Sequence, residues 1–400
     1  MTDFSDQSLQ LHKQLRGKWE IHSRVPLKSR DDLSRAYTPG VAAVCEAIAV
    51  NPAAAYEMTM KGNSVAIVSD GSAVLGLGNI GARAALPVME GKAILFKAFA
   101  DIDGVPLVVD ARDPQHIIDT VRAIAPTFGG INLEDIAAPA CFEVEDALQD
   151  LGIPVFHDDQ HGTAIVLLAA LINASKVTGK PLEQMKVVIN GAGAAGSAIA
   201  KLLRCVGHDA SVCVPVAEIL VCDSRGIISA EREGLTDAKK QLLAFTNQRG
   251  ISGSLQTALI DADVFIGVSK GNLLTADDIR TMNKDPIILA MANPIPEIMP
   301  DLALEAGAAV VGTGRSDFPN QVNNVLVFPG IFRGALDAAA ARISESMKIA
   351  AAHALAGAVK APTAGAILPD PLDHTVAYLV ADAVKAAAIA EGIGSEPADG

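Results

Sequence analysis

The chain has 400 residues, enough for two domains of ordinary size rather than one small module. Its 32 basic residues face 46 acidic ones, and the formal net charge of -14 argues against a general affinity for nucleic acid, which needs clustered lysine and arginine. With 50% hydrophobic and 20% charged residues, a packed core is expected and a mainly disordered chain is excluded.

Residues 1–35 read as polar helix, and the opening MTDFSDQSLQLHKQLRGKWE lacks the apolar stretch of a secretory signal. The short β-branched runs Ser64–Ser69 (SVAIVS) and Val105–Asp110 (VPLVVD) read as strands, and Pro114–Ile124 reads as a helix. Gly162–Ser175 reads as a buried helix, too short for the roughly 18–20 residues of a membrane span. Polar, breaker-containing Lys176–Gln184 follows, so a domain boundary is expected between about 155 and 180, with an N-terminal α/β domain over 1–160 and a second domain over 161–400. Beyond it, strands Met185–Asn190, Ile219–Asp223, Val264–Val268, Ile287–Ala292 and Ala309–Gly312 alternate with helices, the pattern of a Rossmann-type, doubly wound parallel sheet. From Ala335 onward the chain is alanine-rich, and tracts such as Ala338–Ala341 and Ala386–Ala390 predict C-terminal helices. Five cysteines, an odd number without a CxxC pair, read as thiols of a reducing cytosol rather than a disulfide framework or zinc ribbon. A cytoplasmic protein is expected.

Two segments match GxGxxG, and context separates them. Gly191-Ala-Gly193-Ala-Ala-Gly196 follows the strand MKVVIN and opens the helical AAGSAIAKLLRCVG; the strand ILVCD then ends on Asp223. This is the dinucleotide order of tight turn, pyrophosphate at a helix N-terminus and acid at the ribose. Asp223 comes 27 residues after Gly196 by position, against the usual offset of about 20, and Gly207–Glu218 reads as a loop insertion that absorbs the excess. The alternative is a glycine turn that only packs helix on sheet. The other match, Gly76-Leu-Gly78-Asn-Ile-Gly81, follows a strand but shows no clear helix start, and reads as a close-packed turn lining a cleft.

Two acidic pairs stand out: Glu134-Asp135 in GGINLEDI, and Asp158-Asp159 in VFHDDQHGTA, where an apolar strand ends. Adjacent carboxylates at a strand end need exposure or a cation, and oxygen ligands suit Mg²⁺ or Mn²⁺. Zinc on His157 and His161, helix capping by Asp158-Asp159 and a solvated pair at Glu134-Asp135 are the alternatives. Tyr37 lies beside a Pro-Gly turn in AYTPGV, where an isolated tyrosine is by default packing. Lys92, in PVMEGKAILF, reads as entering an apolar strand; there its pKa would fall and it could act as a base, or it could snorkel to water. Asn293 in AMANPIPE and Asn323-Asn324 in NQVNNVLVFPG can cap helices or bind carboxylate and carboxamide groups.

Together these segments closely resemble the malic enzymes, in particular the short bacterial form. The resemblance runs from about residue 25 to 385 and rests on AYTPGVA, SDGSAVLGLGNIG, PVMEGKA, PTFGGINLEDI, VFHDDQHGTAI, GAGAAG, ANPIPEI and GTGRSDFPNQVNNVLVFPGIFRGALD in that order. It implies Tyr37 as general acid, Lys92 as general base and Asp158 as the acid that orients and supports the lysine. It implies Glu134, Asp135 and Asp159 as ligands of Mg²⁺ or Mn²⁺, and Gly191, Gly193 and Gly196 as the pyrophosphate turn. Asn293 and Asn323 match amides that contact malate near the nicotinamide, with Asn324 beside them. The implied reaction is oxidative decarboxylation of L-malate to pyruvate and CO₂ with reduction of NAD or NADP. The large animal forms carry an arginine for a malate carboxylate where this chain has Ser72-Ala73, so that cation is unassigned. Asp223 favours a free ribose 2′-hydroxyl, while Ser224 and Arg225 could receive a 2′-phosphate; similar runs in the family include NADP users, and the balance tips to NADP. A homodimer or dimer of dimers, no nucleic-acid partner and no membrane are further implications. The rivals are a malolactic enzyme, which converts malate to lactate, and a non-catalytic nucleotide-sensing protein on the same fold.

Overall fold

The runs SVAIVS, DGVPLV, GINL and VFH form strands β1 (Ser64–Ser69), β2 (Asp103–Val108), β3 (Gly130–Leu133) and β4 (Val155–His157) in a computed structural model that describes residues 4–74, 76–207 and 213–395. All four pair in parallel, in the order β2-β1-β3-β4. Every residue of β1 is buried, as a parallel strand covered on both faces requires.

A second sheet holds β5 (Lys186–Asn190), β6 (Glu218–Asp223), β7 (Gly226–Ile227), β8 (Val264–Gly267), β9 (Ile287–Ala290) and β10 (Val310–Thr313), in the order β10-β9-β8-β5-β6-β7. Only β7 runs antiparallel, folding back on β6. In both sheets the chain leaves the first strand to one side and later returns to its other side. The strand order therefore reverses between β1 and β3 and between β5 and β8, which opens a crevice at the carboxyl ends of those strands. The sheets are not separately cored: β1 (Val65, Ile67), helix Asp158–Thr178 (Ile165, Leu168), β5 (Val187, Ile189) and helix Phe328–Asp337 (Phe328, Phe332) contribute to one continuous apolar cluster. Helix Thr375–Ala390 packs on the last of these through glycines: a Cβ on Gly330 would lie 2.5 Å from the Ala377 carbonyl, and one on Gly334 2.3 Å from that of Ala381.

Several elements differ from expectation. Lys92 is not at the mouth of a strand but inside the helix Ala82–Ala100. AILFKAFA contains β-formers, yet Ala85, Met89, Ala93, Phe96 and Ala100 recur at helical spacing and all are buried, so tertiary packing selects the helix. Gly81 opens that helix with φ 79, so the first glycine-rich segment does lead into a helix. The helix expected from Gly162 begins at Asp158 and runs for 21 residues to Thr178, because two acids suit a first turn. That length and composition would cross a membrane, but most of the helix is buried in the core. Residues 16–29 are not helical, and Ala338–Ala341 forms a turn in which Ala339 has φ 44. Cys205 and Cys213 are joined in a disulfide, contrary to the reading of all five cysteines as thiols; the turn at Cys205 (φ 54) brings their Cα atoms to 5.8 Å, within bridging range. Of the loop expected over Gly207–Glu218, residues 208–212 lie outside the described residues.

Candidate active site

The crevice between β1 and β3 collects the buried charges. Helix Ala82–Ala100 turns Lys92 inward at 7% exposure, and its Nζ lies 2.8 Å from Glu134 Oε1 and 2.5 Å from Asp158 Oδ2. The ammonium also sits 4.1 Å from the centre of the Phe328 ring, a cation–π contact that shields it from water. Glu134 is held by Asn132, whose Nδ2 donates to Oε2 at 2.8 Å. Asp158 is fully buried and receives a hydrogen bond from Asn324 Nδ2. Asp159 Oδ2 accepts the Asp135 N–H at 2.7 Å, so the two acidic pairs, 24 positions apart, are laced together.

One ammonium cannot satisfy these acids. Burial would strip Lys92 of its proton, but the fields of Asp158, Glu134 and Asp159 overcome that and push its pKa above the ordinary lysine value. Burial, aided by the neighbouring acids, raises Asp158 and Glu134 despite the ammonium. The sequence expectation of a lowered lysine pKa is thus reversed in this arrangement. Among the described residues no three His, Cys, Asp or Glu side chains already converge as a ligand set. The donors nonetheless fit a hard divalent cation: Glu134, Asp135 and Asp159 carry carboxylate oxygens on two laced segments, with more negative charge than Lys92 neutralises. The zinc alternative fails on geometry, because His161 directs Nε2 at Glu145 and Nδ1 at Lys348. Ser72 and Ala73 are tied into the same loop: Ser72 Oγ accepts the Ala137 N–H at 2.8 Å, and the Ala73 N–H donates to the Asp135 carbonyl at 2.9 Å.

The crevice between β5 and β8 is a cleft of about 1180 Å³ lined by Asn190, Gly191, Gly193, Asp223, Arg225 and Ser269, among others. Each glycine has its own reason. Gly191 (φ 129) makes the tight turn, and a Cβ there would lie 2.6 Å from the Val268 carbonyl. Gly193 caps helix Ala194–Leu203 and has nothing within 4 Å of its missing Cβ, which leaves room for a ligand at the helix N-terminus. A Cβ on Gly196 would fall 1.7 Å from the Gly191 carbonyl, so only glycine lets this helix sit on the turn. At the far end, Asp223 takes Lys239 Nζ at 2.7 Å, the Arg232 guanidinium and the Arg225 N–H at 2.8 Å. Burial pushes Asp223 up, but Arg232 and Lys239 hold it at about 2. Ser224 and the Arg225 side chain are exposed on this rim.

The remaining candidates lie at the edges. Asn293 is exposed three residues past β9, packed against Gly76 and Gly314: a Cβ on Gly76 would lie 2.9 Å from its carbonyl, and one on Gly314 2.9 Å from Nδ2. Asn323 caps a short helical turn, its Oδ1 accepting the Val325 N–H at 3.0 Å, while Asn324 reaches the buried acid cluster. Tyr37 is not brought against Lys92 within the chain; it is 66% exposed at the end of helix Arg30–Ala36. Sequence reading missed Asn132, Phe328, Arg232, Lys239 and Gly162. The last had a signal, the glycine in HDDQHGTA: a Cβ there would sit 1.9 Å from Asp158 Oδ1.

The chain matches the family model "Malic enzyme, N-terminal domain" over residues 16–149 and "Malic enzyme, NAD binding domain" over 160–389. It is 55% identical over 392 residues to the bifunctional malic/malolactic enzyme of Bacillus subtilis, covering 97% of this chain and 94% of that one. It is 51% identical to the NAD-dependent malic enzyme of Geobacillus stearothermophilus (98% and 80% covered) and 46% identical to the NADP-dependent malic enzyme of Halomonas elongata (99% and 96%). Among solved structures, the malic enzyme of Pyrococcus horikoshii superposes with a TM-score of 0.92 at 46% identity (98% and 92% covered), and the NAD-dependent malic enzyme of Thermotoga maritima with 0.90 at 48% (94% and 98%). With both family models matched in order and relatives this similar over nearly its whole length, the chain belongs to the malic enzymes.

Proposed function

We propose that this malic enzyme oxidises and decarboxylates L-malate to pyruvate and CO₂ with reduction of NAD(P), using Lys92 as proton acceptor. The observation that carries the assignment is the buried Lys92 ammonium, 2.5 Å from Asp158 and 2.8 Å from Glu134, in a crevice next to a glycine-lined nucleotide cleft. When bound, a divalent cation on Glu134, Asp135 and Asp159 supplies Lewis-acid polarisation of malate and offsets the negative field on Lys92, and the nicotinamide supplies the hydride acceptor. With that field offset, Lys92 would give up its proton to solvent and, as the neutral amine, take the C2 hydroxyl proton, with Asp158 and Asn324 fixing the lysine and Phe328 covering it. Asn293 and Asn323 contact the substrate, and Tyr37 returns a proton to C3 after CO₂ leaves. The catalytic names of the relatives and the intact lysine–acid cluster set aside a non-catalytic sensor.

Initial rates with L-malate and Mn²⁺, read as NAD(P)H absorbance, test this reading; no nucleotide reduction with either coenzyme overturns it. A malolactic outcome is the second reading, favoured by the name of the Bacillus subtilis relative. It predicts lactate from malate without net NAD(P)H. We further infer a preference for NADP: Arg232 and Lys239 neutralise Asp223, removing its repulsion of a 2′-phosphate, and Arg225 stands on the same rim.

The division at residue 160 assigns the lysine and both acidic pairs to the first domain and the glycine turn to the second. We also infer a homodimer. Helices Phe4–Leu15, Arg30–Ala36 and Val41–Val50 bury no residue within the chain, although the third reads VAAVCEAIAV, and Leu9, Leu15, Leu33 and Val50 are exposed. Such a face is covered by a second copy, which would also enclose Tyr37. Tyr37→Phe should keep substrate and nucleotide binding and slow turnover by about 10²–10⁴. A cytoplasmic location completes the reading; three cysteines, Cys45, Cys141 and Cys222, are free thiols, while Cys205 and Cys213 are bridged.

A further inference from the structure

We propose that Glu145 is a positioning residue that braces the two acid-bearing segments of the metal site against each other. The proposal rests on the reading of Glu134, Asp135 and Asp159 as metal ligands. Glu145 projects from helix Ala140–Leu148, which begins just after the loop that carries Glu134 and Asp135. Its carboxylate accepts the His157 N–H at 3.2 Å, immediately before Asp158 and Asp159, and pairs with His161 Nε2 at 2.9 Å one turn later. One side chain therefore ties the helix behind the first acidic pair to the strand end and helix start that carry the second.

The brace is itself held from a third direction. Lys348, on helix Glu345–Ala358, places Nζ 3.2 Å from His161 Nδ1 and 2.6 Å from Glu345. Lys348 and Glu145 thus hold the two ring nitrogens of His161 from opposite sides. Burial alone would raise the Glu145 pKa, but His161 and Lys348 hold it at about 2, so the brace is an ionised acceptor at neutral pH.

Nothing in the proposed chemistry calls on Glu145 directly, and among the described residues its carboxylate bonds to His157 and His161 rather than to Lys92, Glu134 or Asp158. A buried carboxylate between helices is costly to maintain, and an apolar replacement of similar size would serve packing as well. Its bonds go instead to His157, directly before Asp158, and His161, two residues past Asp159. Groups that orient metal ligands change metal affinity by about 10–100-fold when removed.

The test is Mn²⁺ binding to the full chain, read by electron paramagnetic resonance, with NADPH fluorescence as a separate measure of the nucleotide cleft. Glu145→Ala should weaken Mn²⁺ binding by about 10–100-fold and leave NADPH binding unchanged. Glu145→Gln should lose less, because its amide oxygen still accepts the His157 N–H. Turnover in both should recover as Mn²⁺ is raised, which a general loss of packing would not produce. If Glu145→Ala does not fold, Glu145→Gln and Lys348→Met decide the matter. Wild-type Mn²⁺ affinity in folded Glu145→Gln and Lys348→Met, beside its loss in Asp135→Ala, overturns the brace and leaves the ligand reading standing. Equal Mn²⁺ affinity in Asp135→Ala and wild type overturns the ligand reading, and the brace with it.

Discussion

Two glycine-rich loops with the same spacing, Gly76–Gly81 and Gly191–Gly196, each leave a parallel strand and enter a helix, yet they are built differently. In the second, the turn follows β5 without a gap and the helix starts at Ala194, so the third glycine lies inside the helix and presses on the first. In the first, the chain runs on for several residues past β1, and the third glycine is itself the cap of helix Ala82–Ala100. Gly78 and Gly81 have nothing near their missing Cβ atoms, and Gly76 instead touches the Asn293 carbonyl. A glycine pattern thus specifies a phosphate cradle only when the helix begins inside it. The first loop instead meets the chain just past β9, through Gly76 and the Asn293 carbonyl.

If the two halves divide the work in this way, variants should separate them. The largest effect is expected at Lys92, where Lys92→Ala should lower malate oxidation by about 10²–10⁴ and leave nucleotide affinity alone. A matching fall in both, measured by stopped-flow and by fluorescence titration, would dissolve the comparison. Next comes Gly196→Ala, whose Cβ has no room; a stability loss of about 1–3 kcal/mol and much weaker nucleotide binding are expected, with Mn²⁺ binding retained. Arg225→Ala should cost about tenfold in kcat/KM with NADP, as for a lost charge-assisted hydrogen bond, and little with NAD. Equal losses with both coenzymes would remove Arg225 from the 2′-phosphate site. The smallest change is Gly76→Ala, which must shift the Asn293 carbonyl by a few tenths of an ångström. A rise in malate KM of about fivefold, worth about 1 kcal/mol, is expected. An unchanged KM would show that the loop is only a connection.

The strands were readable from the chain because buried parallel strands are short, apolar and bounded by breakers, and β1, β5, β6, β8, β9 and β10 lie within a residue or two of their expected places. The glycine turn and the acidic pairs were readable because their chemistry is local. Lys92 was misplaced onto a strand because its neighbours carry both periodicities, and the burial that selects the helix is set by partners distant in sequence, Phe328 and Asp158. Lys239 and Arg232 at Asp223, and Glu145 behind the acids, lie nearer in sequence but were hidden for another reason: an isolated charge gives no sign of which group it will meet. Tyr37 was legible as a residue type in a constrained turn, while its exposure at the end of helix Arg30–Ala36 was not.

The interlock of Gly330 and Gly334 with the helix Thr375–Ala390 bears on the order in which the protein is made. Synthesis runs from the amino end at about 5–20 residues per second, so Lys92 leaves the ribosome well before its aromatic cover. Phe328 emerges later, on a helix whose glycine face is open until Thr375–Ala390 arrives to fill it. A nascent chain that already carries the lysine, both acidic pairs and the nucleotide cleft therefore lacks the packing that seats Phe328 over Lys92. Ribosome-bound intermediates should stay inert towards malate until that helix docks.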